Sequence, residues 1–385
     1  MSATEAVGIQ AARTDAETLG ALTHRLALHA PAHDRDGSFP WEGLRAVHEA
    51  GLLTASVGRR YGGVGLEARD TVEVFLALGE GDPSVALISA MTVFQHAAQD
   101  AAGTWPEELY AHVLAESQVR PVLINAVRAE PELGAPARGG LPATVARRTS
   151  DGWSVSGHKG FATGSEGLDY HLVWVVTDEP EPRVGHVIVP GDAPGIRIER
   201  TWDHLGMRAS STHDVIYTDV AVPFENFSGA PVGTVPNNGA PHGVFALAVP
   251  ALYVGVARAA LEAFATFAQE RVPTSLGRPI ATLERIQSVA GEARAQIVQA
   301  ELVLAALAAD VDAGTADPAR LGLAKLLTSR AAIGAVEAIT AAIGNPALTR
   351  SLPFERHLRD VLCARPHPPQ DDAALVAAGR SLLQL

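Results

Sequence analysis

The 385-residue sequence predicts an α+β chain ordered helical, β, helical. Three observations carry this. Apolar residues recur at helical spacing up to about residue 118. Short apolar runs divided by Gly, Pro, Asp and Ser clusters fill residues 122–223. Long Ala-rich stretches with short breaks follow residue 240 and read as an antiparallel bundle. The expected division is a helical domain over 1–118, a β domain over 119–228 and a helical bundle over 229–385.

The first part holds helical patterns over 4–30 and 41–50. A tight loop, Tyr61-Gly62-Gly63-Val64-Gly65, follows them, and the helical pattern resumes over 69–78. Asp82-Pro83-Ser84 breaks the chain, and 85–102 reads as a mostly apolar, buried helix. In the middle, seven strands are expected, over 122–124, 144–146, 153–155, 171–176, 186–189, 196–198 and 214–220. Their spacing suggests a small antiparallel barrel or sandwich, without βαβ alternation. Residues 228–240 read as a linker. Helices are expected over 249–270, 283–313, 319–343, 353–363 and 372–383.

The net charge of −13 argues against nucleic acid as a partner, and no basic stripe offsets it. One cysteine, Cys363, excludes an internal disulfide and fits a reducing compartment. The first thirteen residues lack the basic start and apolar run of a secretory signal. No uninterrupted apolar stretch reaches eighteen residues, so no membrane span is expected. The expectation is a cytoplasmic protein. No Walker A word and no Gly-x-Ser-x-Gly elbow occurs, and the Gly62-Gly63-x-Gly65 loop has no βαβ unit around it. His357, Cys363 and His367 fit no metal-ligand spacing, so no metal is expected.

Four segments, in this order and architecture, resemble the acyl-CoA dehydrogenase superfamily of flavoproteins over nearly the whole chain. They are the Tyr61–Gly65 loop, Gly157-His158-Lys159-Gly160-Phe161-Ala162-Thr163-Gly164, the Leu205-to-Thr212 run continuing to Pro223, and Pro353 to Asp360 with its Arg-Asp ending. The resemblance implies an N-terminal helical domain, a β-barrel and a C-terminal bundle. A flavin ring needs a flat apolar wall and polar contacts at its edge. Phe161 is the candidate wall, and Thr163 with Gly164 the candidate contacts at its reactive edge. Ser210 belongs to the same set. Arg208 is a candidate for a flavin or substrate phosphate, or for an ion pair with Asp214 or Asp219. Arg278 and Gln287 fall where the superfamily holds the dinucleotide part of FAD across a subunit boundary, which favours FAD over FMN and implies a homotetramer or homodimer. Arg359 and Asp360 read as a buried pair fixing the helix before His367.

The departures bear on the chemistry. The dehydrogenases use a Glu to take a proton beside a thioester, since burial raises a carboxyl pKa to suit that task. The usual position aligns with Pro368, one residue past His367, and the second known location falls near Phe245. Neither is acidic. The usual Gly-Gly turn reads Ile343-Gly344-Asn345-Pro346-Ala347, and the substrate loop reads Ala129-Glu130-Pro131-Glu132-Leu133-Gly134-Ala135-Pro136.

The branch that resembles this chain in its Arg-Asp-to-His spacing is the two-component flavin monooxygenases. In that branch a separate flavin reductase supplies reduced flavin, which with O₂ oxygenates an electron-rich carbon, sulfur or nitrogen. His367 would then hydrogen-bond the activated oxygen. The amides opening the helix near Asp371 would lower its pKa, and the two carboxylates there oppose that. His96, on the apolar helix, is the second catalytic candidate. Two other functions stay open. One is an acyl-CoA or acyl-carrier dehydrogenase with a displaced base at Glu130, Glu132 or Glu166. The other is a flavin-binding subunit with no chemistry of its own. The substrate is a small molecule the sequence does not name.

Overall fold

The computed structural model describes residues 9–132, 140–234 and 243–384. Five helices come first: α1 (Ala16–Asp36), α2 (Trp41–Glu49), α3 (Ala68–Gly81), α4 (Pro83–Ala102) and α5 (Glu107–Glu116). The expected helix over 4–30 is shifted. Asp15 caps α1 by accepting from the Thr18 N–H, and the helix runs through Pro31 to a left-handed Gly37. Pro31 is tolerated because the Ala27 carbonyl it leaves without a donor is on the exposed face. Asp82 caps α4 through the Ser84 and Val85 N–H groups, and Pro83 sits in its first turn. The break read at 82–84 is therefore a helix start. The helix α5 was not resolved in sequence, because Pro106 opens it only a few residues past the end of α4.

Among the described residues the middle of the chain forms eight strands: β1 (Ile124–Val127), β2 (Val145–Arg148), β3 (Trp153–Ala162), β4 (Tyr170–Thr177), β5 (Arg183–Pro190), β6 (Ile196–Glu199), β7 (His213–Val222) and β8 (Phe227–Pro231). They lie in one sheet of order β6-β7-β3-β2-β4-β5-β8, with β1 on β4. The seven expected strands are all present. β8 lies at the start of the span read as linker, where Phe227 packs on Trp153 and the strand pairs with β5. The sheet is mostly rather than wholly antiparallel, since β1 and β2 each pair with β4 in parallel.

The bundle holds α6 (Gly243–Glu270), α7 (Glu284–Asp312), α8 (Pro318–Ile343), α9 (Phe354–Leu362) and α10 (Asp371–Leu383). α6 and α8 are long and apolar enough to cross a membrane by composition. Here α6 is the centre of the core: Leu247, Ala251, Leu252, Tyr253, Val254 and Ala257 are fully buried against neighbouring helices. Its crossing with α3 is close. A Cβ on Gly79 would stand 2.1 Å from the Leu252 carbonyl oxygen, and one on Gly255 would stand 2.3 Å from that of Leu76. Only glycine lets the two backbones meet there. This contact joins the N-terminal helices to the bundle, and the sheet packs against α4 through β1.

Candidate active site

The β3–β4 connection presents an unusual aromatic. β3 loses register between Lys159 and Ala162, and Phe161 sits in that irregularity with φ 56°. Its ring is 69% exposed. A bulky residue in the left-handed region is strained, and such strain persists where the surroundings impose it, commonly at functional sites. Two further non-glycine residues in this region, Met207 (φ 53°) and Ser211 (φ 45°), lie in the adjacent loop before β7.

The next residues turn inward. Thr163 is buried; its carbonyl accepts from Asn125 Nδ2 at 2.9 Å, and its hydroxyl accepts from Thr212 at 3.2 Å. Thr212 in turn meets the Ser210 hydroxyl at 2.7 Å. Gly164, φ 79°, donates its N–H to the Ser210 carbonyl. Thr163, Gly164 and Ser210, three of the expected flavin contacts, are thus one network beside Phe161, and Asn125 and Thr212 join it.

A row of rings leads away from Phe161. Trp202 meets it edge-on at 6.5 Å, and His204 stacks on Trp202 at 4.2 Å with the planes 8° apart. The loop carrying them is pinned at three places. Trp202 Nε1 donates to the Met207 carbonyl, the Trp202 N–H donates to His213 Nδ1, and the Met207 N–H donates to Asp360 at 2.7 Å. Gly206 lies against α9 so closely that a Cβ would stand 2.3 Å from the Arg359 carbonyl oxygen. His204 reaches Cys363 Sγ at 3.8 Å, and it stands near enough to His367 to lower that residue's pKa.

His367 closes the row. Its Nδ1 is 2.5 Å from the Tyr253 hydroxyl of α6. Burial, with the charges of Lys325 and His204, lowers its pKa to about 4. Burial also raises the Tyr253 phenol well above its ordinary value. Both groups are therefore neutral at pH 7. Tyr253 has no other hydrogen-bond partner among the described residues, so its O–H must donate to Nδ1 or go unsatisfied. That fixes the proton of the neutral ring on Nε2, which has no partner among the described residues and is free to donate. Cys363, one turn earlier, is pushed up to about 12 by burial and by Asp360, so it stays a thiol.

The Arg359–Asp360 reading needs correction. The two side chains do not pair with each other. Arg359 holds Asp34 of α1 at 2.6 and 2.9 Å and Glu355 at 2.6 Å, while Asp360 accepts from Met207. Burial raises Asp360 to about 7. Both residues still fix α9, one to α1 and one to the loop. Arg208 pairs with Asp203 at 3.2 Å, not with Asp214 or Asp219, and its Nε donates to the Asp34 carbonyl. Asp214 instead pairs with His158, and Asp219 accepts from Ser156.

His96 is not brought to His367. It is fully buried, with Nδ1 on the Tyr110 hydroxyl at 2.9 Å, inside a separate cluster with Trp105 and Tyr61. Burial lowers its pKa to about 4, and Nε2 has no partner among the described residues. Arg278 is exposed after Gly277 in the α6–α7 connection, and Gln287 donates to the Ala281 carbonyl. Neither is linked to the Phe161 wall within this chain. Glu130 is buried and accepts from Lys159, Thr144 and the Ala143 N–H; burial would raise it, but these bonds outweigh that and lower its pKa. Glu132 is exposed. Glu166 pairs with Arg200 at 2.5 Å and faces His213. The Phe245 side chain and residues 133–136 of the substrate-loop segment lie outside the described residues. Trp202, His204 and Tyr253 were not singled out in the sequence. The signals were a Trp-x-His just before Leu-Gly-Met-Arg, and a tyrosine inside an otherwise apolar helix.

The site thus combines an exposed aromatic face on a strained bulge, a hydroxyl network beside it and a row of rings running toward a neutral imidazole.

Family comparisons agree with this class. Models of the acyl-CoA dehydrogenase N-terminal, middle and C-terminal domains match residues 16–104, 126–220 and 247–369. "Putative acyl-CoA dehydrogenase YdbM" of Bacillus subtilis (strain 168) is 32% identical over 368 residues, covering 93% of this chain and 94% of that protein. The chain belongs to the acyl-CoA dehydrogenase superfamily of flavin-dependent oxidoreductases. The solved structure of KijD3 in complex with FMN and dTDP-3-amino-2,3,6-trideoxy-4-keto-3-methyl-D-glucose is 26% identical, with a TM-score of 0.77, covering 96% of this chain and 92% of that one. FMN-bound TdsC from Paenibacillus sp. A11-2 has the same fold, with a TM-score of 0.83 at 22% identity and 96% coverage of each chain.

Proposed function

We propose that the protein is a two-component monooxygenase that oxygenates a small organic substrate with O₂ and a reduced flavin, FAD or FMN, delivered by a separate reductase. The observation that carries this reading is His367. An imidazole kept neutral by its surroundings, its tautomer set by a buried phenol, stands beside Pro368 where the dehydrogenase acid is expected, and no carboxylate bonds to it among the described residues.

Phe161 would lie under the ring, and the Thr163–Gly164–Ser210 network would meet its polar edge. Arg208 stands on the same loop, and Arg278 and Gln287 would serve the far end of a flavin on a neighbouring copy in a homotetramer or homodimer. The bound reduced flavin would supply the electrons that activate O₂. His367 would donate its Nε2 proton as a hydrogen bond to an oxygen atom in the site. Tyr253 holds the ring in the tautomer able to do so. Trp202 and His204 would keep water from the path between wall and imidazole. The single, buried Cys363 suits a reducing cytoplasm. KijD3 with FMN and an amino-sugar nucleotide supports the flavin and the small substrate by similarity.

The test is anaerobic titration of the flavin-loaded protein with acyl-CoA esters of four to sixteen carbons. No bleaching of the flavin is expected. Bleaching with formation of an enoyl product would overturn the reading.

That outcome is the second reading, and the name of the 32% identical relative favours it. Of the three displaced-base candidates, Glu130 is fully occupied by its donors and Glu132 is exposed, which leaves Glu166. Under that reading Glu166→Gln abolishes the bleaching.

A further inference from the structure

The C-terminal end of α1, the loop of Asp203 to Arg208 and the turn before α9 enclose a cavity of about 540 Å³. Phe161, Thr163 and His367 do not line it. Arg35, Arg208, Arg350, Arg356 and Arg359 do. The acids on its wall are already engaged. Arg359 binds Asp34 and Glu355, and Arg208 binds Asp203. Arg35 pairs outward with Asp36.

Arg350 and Arg356 are left without a hydrogen bond or ion pair among the described residues. For the exposed Arg350 this is ordinary. For Arg356 it is not, since that residue is only 8% exposed. Its guanidinium is not among the sealed polar groups and lines the cavity, so its five donors can serve a bound group there. The carboxylates of Asp82 and Asp360 act on it through their charge without hydrogen-bonding it: Asp82 accepts from the amides opening α4, and Asp360 from Met207, which leaves the Arg356 donors free for a ligand. Arg356 also lies in the first turn of α9, whose unpaired amides and dipole add partial positive charge. Arg356 borders a second cavity, of about 760 Å³, but Glu73, Glu80, Glu262 and Glu270 line that one and disfavour an anion there.

We propose that the 540 Å³ cavity is an anion site for the phosphate or diphosphate of a small organic ligand, gripped by Arg356 and Arg350. Two guanidiniums with no hydrogen-bonded acid among the described residues match a dianion, and the planar fork of each suits phosphate oxygens. The volume falls in the range of small-molecule sites, ~300–1,000 Å³, so it has room for an organic portion beside the phosphate. The inference does not rest on the flavin reading, because Phe161, Thr163, Gly164, Ser210 and His367 lie outside this cavity and the two arginines that carry it, Arg350 and Arg356, have no part in that reading.

Calorimetric titration of the full chain at low salt tests it, with inorganic pyrophosphate and ADP as probes, before and after saturation with FMN. One site per chain is expected for each probe, unchanged by FMN, with ADP tighter than pyrophosphate. Arg356→Lys keeps the charge but loses the fork, and should weaken both probes by about tenfold or more. Arg350→Ala, at an exposed turn that carries no core contact, should weaken them by about fivefold and keeps the test open if the Arg356 variant does not fold. Absence of binding at millimolar probe, equal affinity in wild type and Arg350→Ala, or displacement of the probe by FMN would overturn the proposal. Equal affinity for ADP and pyrophosphate would overturn its organic part and leave a site for free phosphate.

Discussion

Replacing His367 by Gln should make the protein less sensitive to acid, and the size of the effect follows from the ring's surroundings. Burial lowers the imidazole pKa from 6.5 to about 4. The unfolded chain therefore binds a proton at higher pH than the folded one. The neutral ring costs nothing above pH 6.5, and stability is lost as pH falls from 6.5 toward 4. At about 1.4 kcal/mol per pH unit, the loss is about 2 kcal/mol at pH 5 and approaches about 3 kcal/mol below pH 4. His96 and His171, also lowered to about 4 by burial, titrate alike in wild type and variant and cancel in the difference. Gln can still accept the Tyr253 hydroxyl proton and carries no charge at any pH. Urea unfolding followed by fluorescence at pH 7.5 and pH 5 measures the difference. Wild type should lose about 2 kcal/mol relative to His367→Gln between the two. A stability difference that stays constant across that interval would refute the desolvated, neutral imidazole.

Phe161→Gly should weaken flavin binding by roughly tenfold or more, the worth of one aromatic face, while relief of the left-handed backbone leaves the melting temperature unchanged or higher; a fall in both would place the ring in the core instead. Gly206→Ala drives a Cβ to 2.3 Å from the Arg359 carbonyl oxygen and should cost about 1–3 kcal/mol in urea unfolding, with an unchanged midpoint counting against the close loop–α9 contact. Lys159→Met strands the buried Glu130 carboxylate 2.7 Å from the former ammonium and should cost about 3–5 kcal/mol. The Lys159→Met loss should shrink when Glu130→Gln is added.

The fold was readable because its signals are local. Asp82-Pro83 and the apolar 85–102 stretch carry α4, and seven of the eight strands stand between their own turn residues. β8 escaped because Phe227-Ser228-Gly229-Ala230-Pro231 has turn composition and is held as a strand by β5 and by Phe227 on Trp153. Parallel pairing of β1 and β2 with β4 has no sequence mark, since register between distant strands is set by packing. In the site, Phe161, Thr163, Gly164 and Ser210 come together as neighbours along two short segments. The Tyr253–His367 bond joins residues far apart in sequence, so only the folded bundle shows it. The same holds for Arg359, whose partner Asp34 is near the start of the chain. His96 misled because a histidine on an apolar helix has the same pattern whether it faces a pocket or, as here, a tyrosine in the core.

The central proposal is that His367, kept neutral by its surroundings and set in one tautomer by Tyr253, donates a hydrogen bond to activated oxygen. Its most direct test mixes the reduced, flavin-loaded protein with O₂ in a stopped-flow instrument and follows oxidised flavin and hydrogen peroxide together. The account predicts slow, delayed peroxide release in wild type and release at least tenfold faster in His367→Gln. Immediate single-phase release in wild type, at the same rate in the variant, would contradict it.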